Sequence, residues 1–153
     1  MNEHNFVALT TFRGWSEEHE CFLFGGIYIN KKGVCFIMHE TGVAMIVHPD
    51  SIGVYTGKDD KYCTPIFCGV SGAEFGGDKV ELEFISGLNE VQLSRGVVTY
   101  YAEQASFYSK RYEEEIKTKN STTITKVGRW DSLNHHLIRV LSTQWEEHLK
   151  ANQ

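Results

Sequence analysis

Proline is scarce in this chain: two residues, Pro49 and Pro65, in 153. Cysteine is scarce too, at positions 21, 35, 63 and 68, with no Cys-x-x-Cys pair to build a zinc knuckle or a redox motif. No apolar run approaches the ~20 residues a membrane helix needs, so no membrane span is expected. Met1-Asn2-Glu3-His4-Asn5 shows no basic stretch leading into an apolar one, so no secretory signal is expected either. Basic residues are outnumbered by acidic ones, giving a formal charge of −5, which argues against a general grip on nucleic acid. Low-complexity segments and repeats are also absent. Together these absences point to a cytoplasmic globular chain with reduced thiols.

What is present suits one domain, residues 1–153, with 41% hydrophobic and 12% aromatic residues. Residues 1–95 read as β-rich. Phe6 to Phe12, Cys21 to Ile29, Val34 to Met38 and Val43 to Val47 alternate or carry β-formers, with a bend expected at Gly25-Gly26 and a hairpin turn at Asn30-Lys31-Lys32-Gly33. Gly14 to Glu20 reads as a polar connection centred on Trp15. Lys79 to Ile85 is a period-two strand, with Val80, Leu82 and Phe84 facing one way and Glu81 and Glu83 the other; Glu90 to Leu93 is placed to pair back on it.

Residues 97–150 read as the helical part. Val98, Tyr101, Ala105, Tyr108, Tyr112 and Ile116 recur at helical spacing, favouring a helix from about Tyr100 to Lys117, although Val97 to Tyr101 and Ser106 to Tyr108 would also pass as strand. Thr118 to Thr125 reads as a loop or short strand. A last helix, capped by Asp131 or Ser132, gathers Leu133, Leu137, Val140, Leu141, Trp145 and Leu149 on one face. That face offers a route to a homo-oligomer. The expected fold is α+β: an N-terminal antiparallel meander closing toward a small barrel, with one or two C-terminal helices.

Candidate chemistry is thin. His19, Cys21, His39, His48, Cys63 and Cys68 lack the paired spacing of a structural zinc site, so no metal and no cofactor is expected. His135 and His136 point to different helix faces. Glu81, Glu83 and Asp78 could hold Mg²⁺, but a solvated strand face accounts for them more simply. His48, Asp50 and Ser51 are too close in sequence for a triad, and no Gly-x-Ser-x-Gly elbow occurs, so no catalytic residue is assigned. The aromatic residues beside lysines are better binding candidates: Trp15, Tyr55, Lys58, Asp60, Lys61 and Tyr62.

Residues 47–69 carry a resemblance. Val47, Pro49, Asp50, Ile52, Gly53, Tyr55, Thr56, Gly57, Asp60, Ile66, Phe67 and Gly69, preceded by Phe12-Arg13-Gly14-Trp15 and Phe24-Gly25-Gly26-Ile27-Tyr28-Ile29, resemble the signature of the phage and prophage YopX family. Cys68 and Val70 stand where the family carries Glu and Asp. The resemblance implies a small mostly-β domain of phage origin and supplies no catalytic residue. The function it implies is a phage or prophage accessory protein that binds a host or phage protein, in host takeover or anti-defence. The alternative is a protein that binds, sequesters or hydrolyses a nucleotide, using the tyrosines and the carboxylates around Asp78. Within the central stretch, Gly53 and Gly57 are expected in conformations a Cβ disfavours, with Tyr55 pointing inward and Lys58 to Lys61 forming a solvated tip of little weight in folding.

Overall fold

The computed structural model describes residues 11–38, 42–85, 89–101, 104, 106–126, 128–133 and 138–153. Twelve strands are defined there. In the first half they are β1 (Phe12–Ser16), β2 (Cys21–Ile29), β3 (Cys35–Met38), β4 (Ala44–Val47), β5 (Gly53–Asp59) and β6 (Pro65–Gly69), with a 3-10 turn at Pro49–Ser51. The second half has β7 (Asp78–Ile85), β8 (Glu90–Tyr101), β9 (Ser106–Thr118), β10 (Thr122–Thr125), β11 (Trp130–Ser132) and β12 (Ile138–Thr143), then helix α1 (Gln144–Ala151). They form two antiparallel sheets. One runs β4-β3-β2-β1-β5-β6; the other runs β10-β9-β8-β7-β12, with β11 also on β9. The fold is α+β, a β meander with a C-terminal helix. No helix among the described residues is long and apolar enough to cross a membrane.

The two sheets share the burial unequally. The β1–β4 part of the first sheet curls around Cys35, Ile37, Val47 and Ile52, and Phe12, Leu23 and Ile27 pack against them. That curl nearly closes, because the His48 N–H donates to the Trp15 carbonyl at 2.9 Å. Gly25 makes the bend possible: at φ 154° its Cβ would lie 2.3 Å from the Met38 carbonyl oxygen, which only glycine avoids. The β5–β6 part instead lies against the second sheet. Ile66 and Cys68 meet Val80, Leu82, Val98, Leu133 and Ile138 there, all buried.

A buried ion pair joins the sheets. Arg13 on β1 donates to Asp78 at the start of β7 at 2.8 Å, and to the Gly76 carbonyl at 3.1 Å. The other Asp78 oxygen accepts the Phe67 N–H at 2.8 Å. The rings of Phe22 and Phe67 lie 4.7 and 4.5 Å from the Arg13 guanidinium carbon. Burial pushes the Asp78 carboxyl above the usual range, while Arg13 and the Phe67 N–H pull it back.

Several sequence expectations are corrected. No helix spans Tyr100 to Lys117; β8 and β9 form a long hairpin, and the 97–150 part holds more strand than helix. The β-branched and aromatic run Val97 to Tyr101 sets that outcome, and Glu113 and Glu115 serve there as cross-strand partners of Arg95. The last helix is also shorter. Asp131 and Ser132 sit in β11, Ile138–Thr143 is strand β12, and Thr143 is the cap, accepting the Glu146 N–H at 3.0 Å. Its supposed apolar face is dispersed: Leu133 is buried between the sheets, Leu141 is exposed on β12, and Trp145 is buried on α1 against His48 and Phe75. A homo-oligomer through a 133–149 helix therefore has no such face to use. Trp15 belongs to β1 rather than to a polar connection. The strand expected from Phe6, as well as His39, His135, His136 and Leu137, falls wholly or partly outside the described residues.

The close approach of Gly76 to β5 gives a test. A Cβ on Gly76 would meet the Ile52 carbonyl oxygen at 1.9 Å, whereas one on Gly26 meets nothing within 4 Å. Gly76→Ala should cost about 3 kcal/mol in urea denaturation, at the upper end of overpacking penalties. Gly26→Ala should change stability by less than about 1 kcal/mol.

Candidate functional site

The β5–β6 connection is built around one carboxylate. Gly57 takes φ 82°, where a side chain is strained, and the β5–β6 register shifts between Tyr55 and Asp59. Thr56 Oγ1 closes the stem by donating to the Ile66 carbonyl at 2.8 Å. Asp60 is buried at the base of the turn, where one oxygen accepts the Tyr62 and Thr64 N–H groups at 2.8 Å each. Its other oxygen accepts the Val140 N–H of β12 at 2.9 Å, and the Lys61 N–H donates to the Ile138 carbonyl at 2.8 Å. The loop thus lies along the edge of the second sheet and covers it.

Burial alone would raise the Asp60 carboxyl, but the N–H donors from Val140, Thr64 and Tyr62 outweigh it and hold it below its usual value. The tip is therefore not a solvated loop of little weight. Asp60 is its anchor, and the residues around it, Gly57 to Asp59 and Lys61 to Pro65, are displayed. Tyr62 stands 68% exposed, with Lys61 Nζ 5.3 Å from its ring centroid. Tyr55 does not point into a core. It is half-buried, its ring lies edge-on to Phe67, and its hydroxyl donates to Asp59 at 2.6 Å. Burial and Asp59 push that hydroxyl up to about 12.

Trp15 is not brought to this tip. Its N–H donates to Ser51 Oγ at 2.7 Å, beyond the start of β5, so it sits at the opposite end of that strand. Four of the six candidates, Lys58, Asp60, Lys61 and Tyr62, share one loop, and Tyr55 stands on its stem. Asp60 supports the loop while the other three are displayed.

The remaining groups have structural partners. Glu81 is buried and bound by Arg95 and Arg139 at 2.9 and 2.8 Å, so the expected solvated strand face is instead an ion-paired one. Burial would raise its carboxyl, and the two arginines hold it low. His48 Nδ1 accepts the Asp50 N–H at 3.2 Å, and Ser51 Oγ donates to the His48 carbonyl at 2.6 Å, which is turn-capping geometry. All four cysteines are free, and no group of three His, Cys, Asp or Glu among the described residues is placed to hold a metal. Trp130 stacks on Tyr101 with ring centroids 4.7 Å apart and has Lys110 Nζ 5.5 Å from its centroid, and it stays partly exposed. The groove between the sheets, about 490 Å³, is lined by Val54, Val70, Thr99, Tyr100 and Phe107 among others and is mostly apolar.

Comparison with protein-family models, curated proteins and solved structures finds no match to this chain.

Asp60→Ala should cost about 2–3 kcal/mol in urea denaturation, because three amides lose a charged acceptor. The folded carboxyl titrates below the unfolded one, so its stabilisation is complete above about pH 3.9 and is lost as pH falls through the folded value. Hydrogen exchange at the Tyr62, Thr64 and Val140 amides should accelerate over that acid range in the wild type. In Asp60→Ala it should already be fast at neutral pH.

Proposed function

We propose that the chain is a phage or prophage accessory protein, similar to the YopX family, that acts by binding a host or phage protein in the bacterial cytoplasm. Host takeover or anti-defence is the setting that similarity suggests. The observation that carries the reading is the tip loop: a buried carboxylate fixes the backbone from below while Tyr62 and Lys58 project into solvent and Lys61 lies between the Tyr62 ring and Glu83. A tyrosine on a pre-set loop loses little freedom on binding and supplies both an apolar ring and a hydroxyl. The lysines suit a partner that presents carboxylates beside an apolar pocket.

The signature residues fit a binding role better than turnover. Arg13, Gly53, Thr56, Gly57, Asp60 and Phe67 are used to join the sheets or to shape the loop, and Asp78 and Glu81 are sealed by arginines.

Affinity capture from host lysate tests the reading. Tyr62→Ala and the Lys58→Ala/Lys61→Ala pair should each lose the captured protein while melting within a few degrees of wild type, since neither side chain supports the core. Retained capture by both variants would overturn the proposal.

A further inference from the structure

His48 stands where three parts of the chain meet. Its N–H donates to the Trp15 carbonyl at 2.9 Å, which draws the end of β4 against β1. Its carbonyl accepts the Ser51 N–H and hydroxyl at 3.1 and 2.6 Å, closing the 3-10 turn at Pro49–Ser51. Its ring centroid lies 4.7 Å from that of Trp145 on α1. Asp50 ties the turn to the loop before β7, because its carbonyl accepts the Phe75 N–H at 2.9 Å. Phe75 in turn stacks on His148 of α1, with centroids 4.0 Å apart, and also meets Trp145.

The capped turn admits only one state of the His48 ring. Nδ1 accepts the Asp50 N–H at 3.2 Å, and a backbone amide can only donate. Nδ1 is therefore bare while the cap is in place. A proton there sets two N–H groups against each other and strips the turn of its cap. Among the described residues no carboxylate lies within ion-pair reach of His48 to offset this. Glu17 and Glu18 line the same groove as His48, and neither pairs with it. The Trp145 face would attract a cation, yet that indole is 2% exposed and its own Nε1–H lacks a hydrogen-bond partner among the described residues. His148 is placed differently. It lies in the last turn of α1, where positive charge suits the helix dipole, and among the described residues no backbone amide donates to its ring.

We propose that His48 is a pH-sensitive latch: neutral, it caps the turn and holds α1 against it, and protonated, it lets both loosen. The latch is closed above the pH range in which histidine changes charge and opens as pH falls through it. It is separate from the tip loop and does not depend on the binding role read there.

Amide hydrogen exchange of the full chain, followed by NMR at about pH 7.5 and about pH 5, tests it. After correction for the intrinsic rate, protection at the Asp50 amide and along α1 should fall at least about tenfold in the wild type, roughly the loss of one hydrogen bond. That fall should share a single midpoint with the titration of the His48 ring, a comparison that needs no variant. His48→Asn keeps a capping oxygen that takes no proton, so its protection should be equal at both values. His148→Asn should lose Asp50 protection as the wild type does. Asp78, whose carboxyl burial raises, is untouched in both variants, so any response of its own would survive in His48→Asn. Acid loss retained in His48→Asn, unchanged protection in the wild type, or an Asp50 midpoint apart from that of His48 would each overturn the proposal.

Discussion

The buried pair of Arg13 and Asp78 is the constraint on which the arrangement of the two sheets depends. It links the second residue of β1 to the first residue of β7, and through the Phe67 amide it also holds β6. Two charges taken from water cost several kcal/mol each, and that cost is offset only if every surrounding group is well placed. The surroundings largely reflect this, although the buried Arg13 Nε has no hydrogen-bond partner among the described residues. Phe22 and Phe67 lie on either side of the guanidinium, the Gly76 carbonyl takes a further bond, and a Cβ on Gly53 would approach Arg13 Nε to 3.3 Å. Gly53 and Gly76 are therefore small because the pair, the β5 backbone and the loop before β7 occupy the same space.

A second carboxylate repeats the device at the other end of the interface. Asp60 gathers two amides of its own loop and one from β12, so a single side chain shapes the tip and docks it on the second sheet. Neither aspartate is free for chemistry. What remains accessible is displayed on the outside, with Tyr62 and Lys58 exposed at the tip.

Much of the first half was legible from the sequence, because each strand there is short and bounded by a turn residue with one plausible conformation. Gly33 and Gly57 both take the positive φ their turns need, and the alternation of Val80, Leu82 and Phe84 places them inward. The second half was harder. Val98, Tyr101, Tyr108 and Tyr112 fall at helical intervals by coincidence in a long hairpin, and two of the glutamates that favour helix, Glu113 and Glu115, are held in β9 by Arg95 on β8. Leu133, Val140 and Trp145 are likewise an apolar series without a common face, divided between a loop, β12 and α1. The candidate site was half legible. The exposed tip residues could be read from a polar turn, but Asp60 looked like one more surface acid, since the partner that docks it on the second sheet, Val140, lies 80 positions away. Arg13 carried no local sign that it would be buried.

A double-mutant cycle on Arg13 and Asp78 tests the central claim most directly. With Arg13→Met, Asp78→Ala and the combined variant unfolded in urea, each single change should cost about 3–5 kcal/mol, because each strands a buried charge. The combined change should cost well below their sum, giving a coupling of at least about 2 kcal/mol. Costs that add to within about 0.5 kcal/mol would show that the two residues do not act as a pair and that something else sets the sheets together.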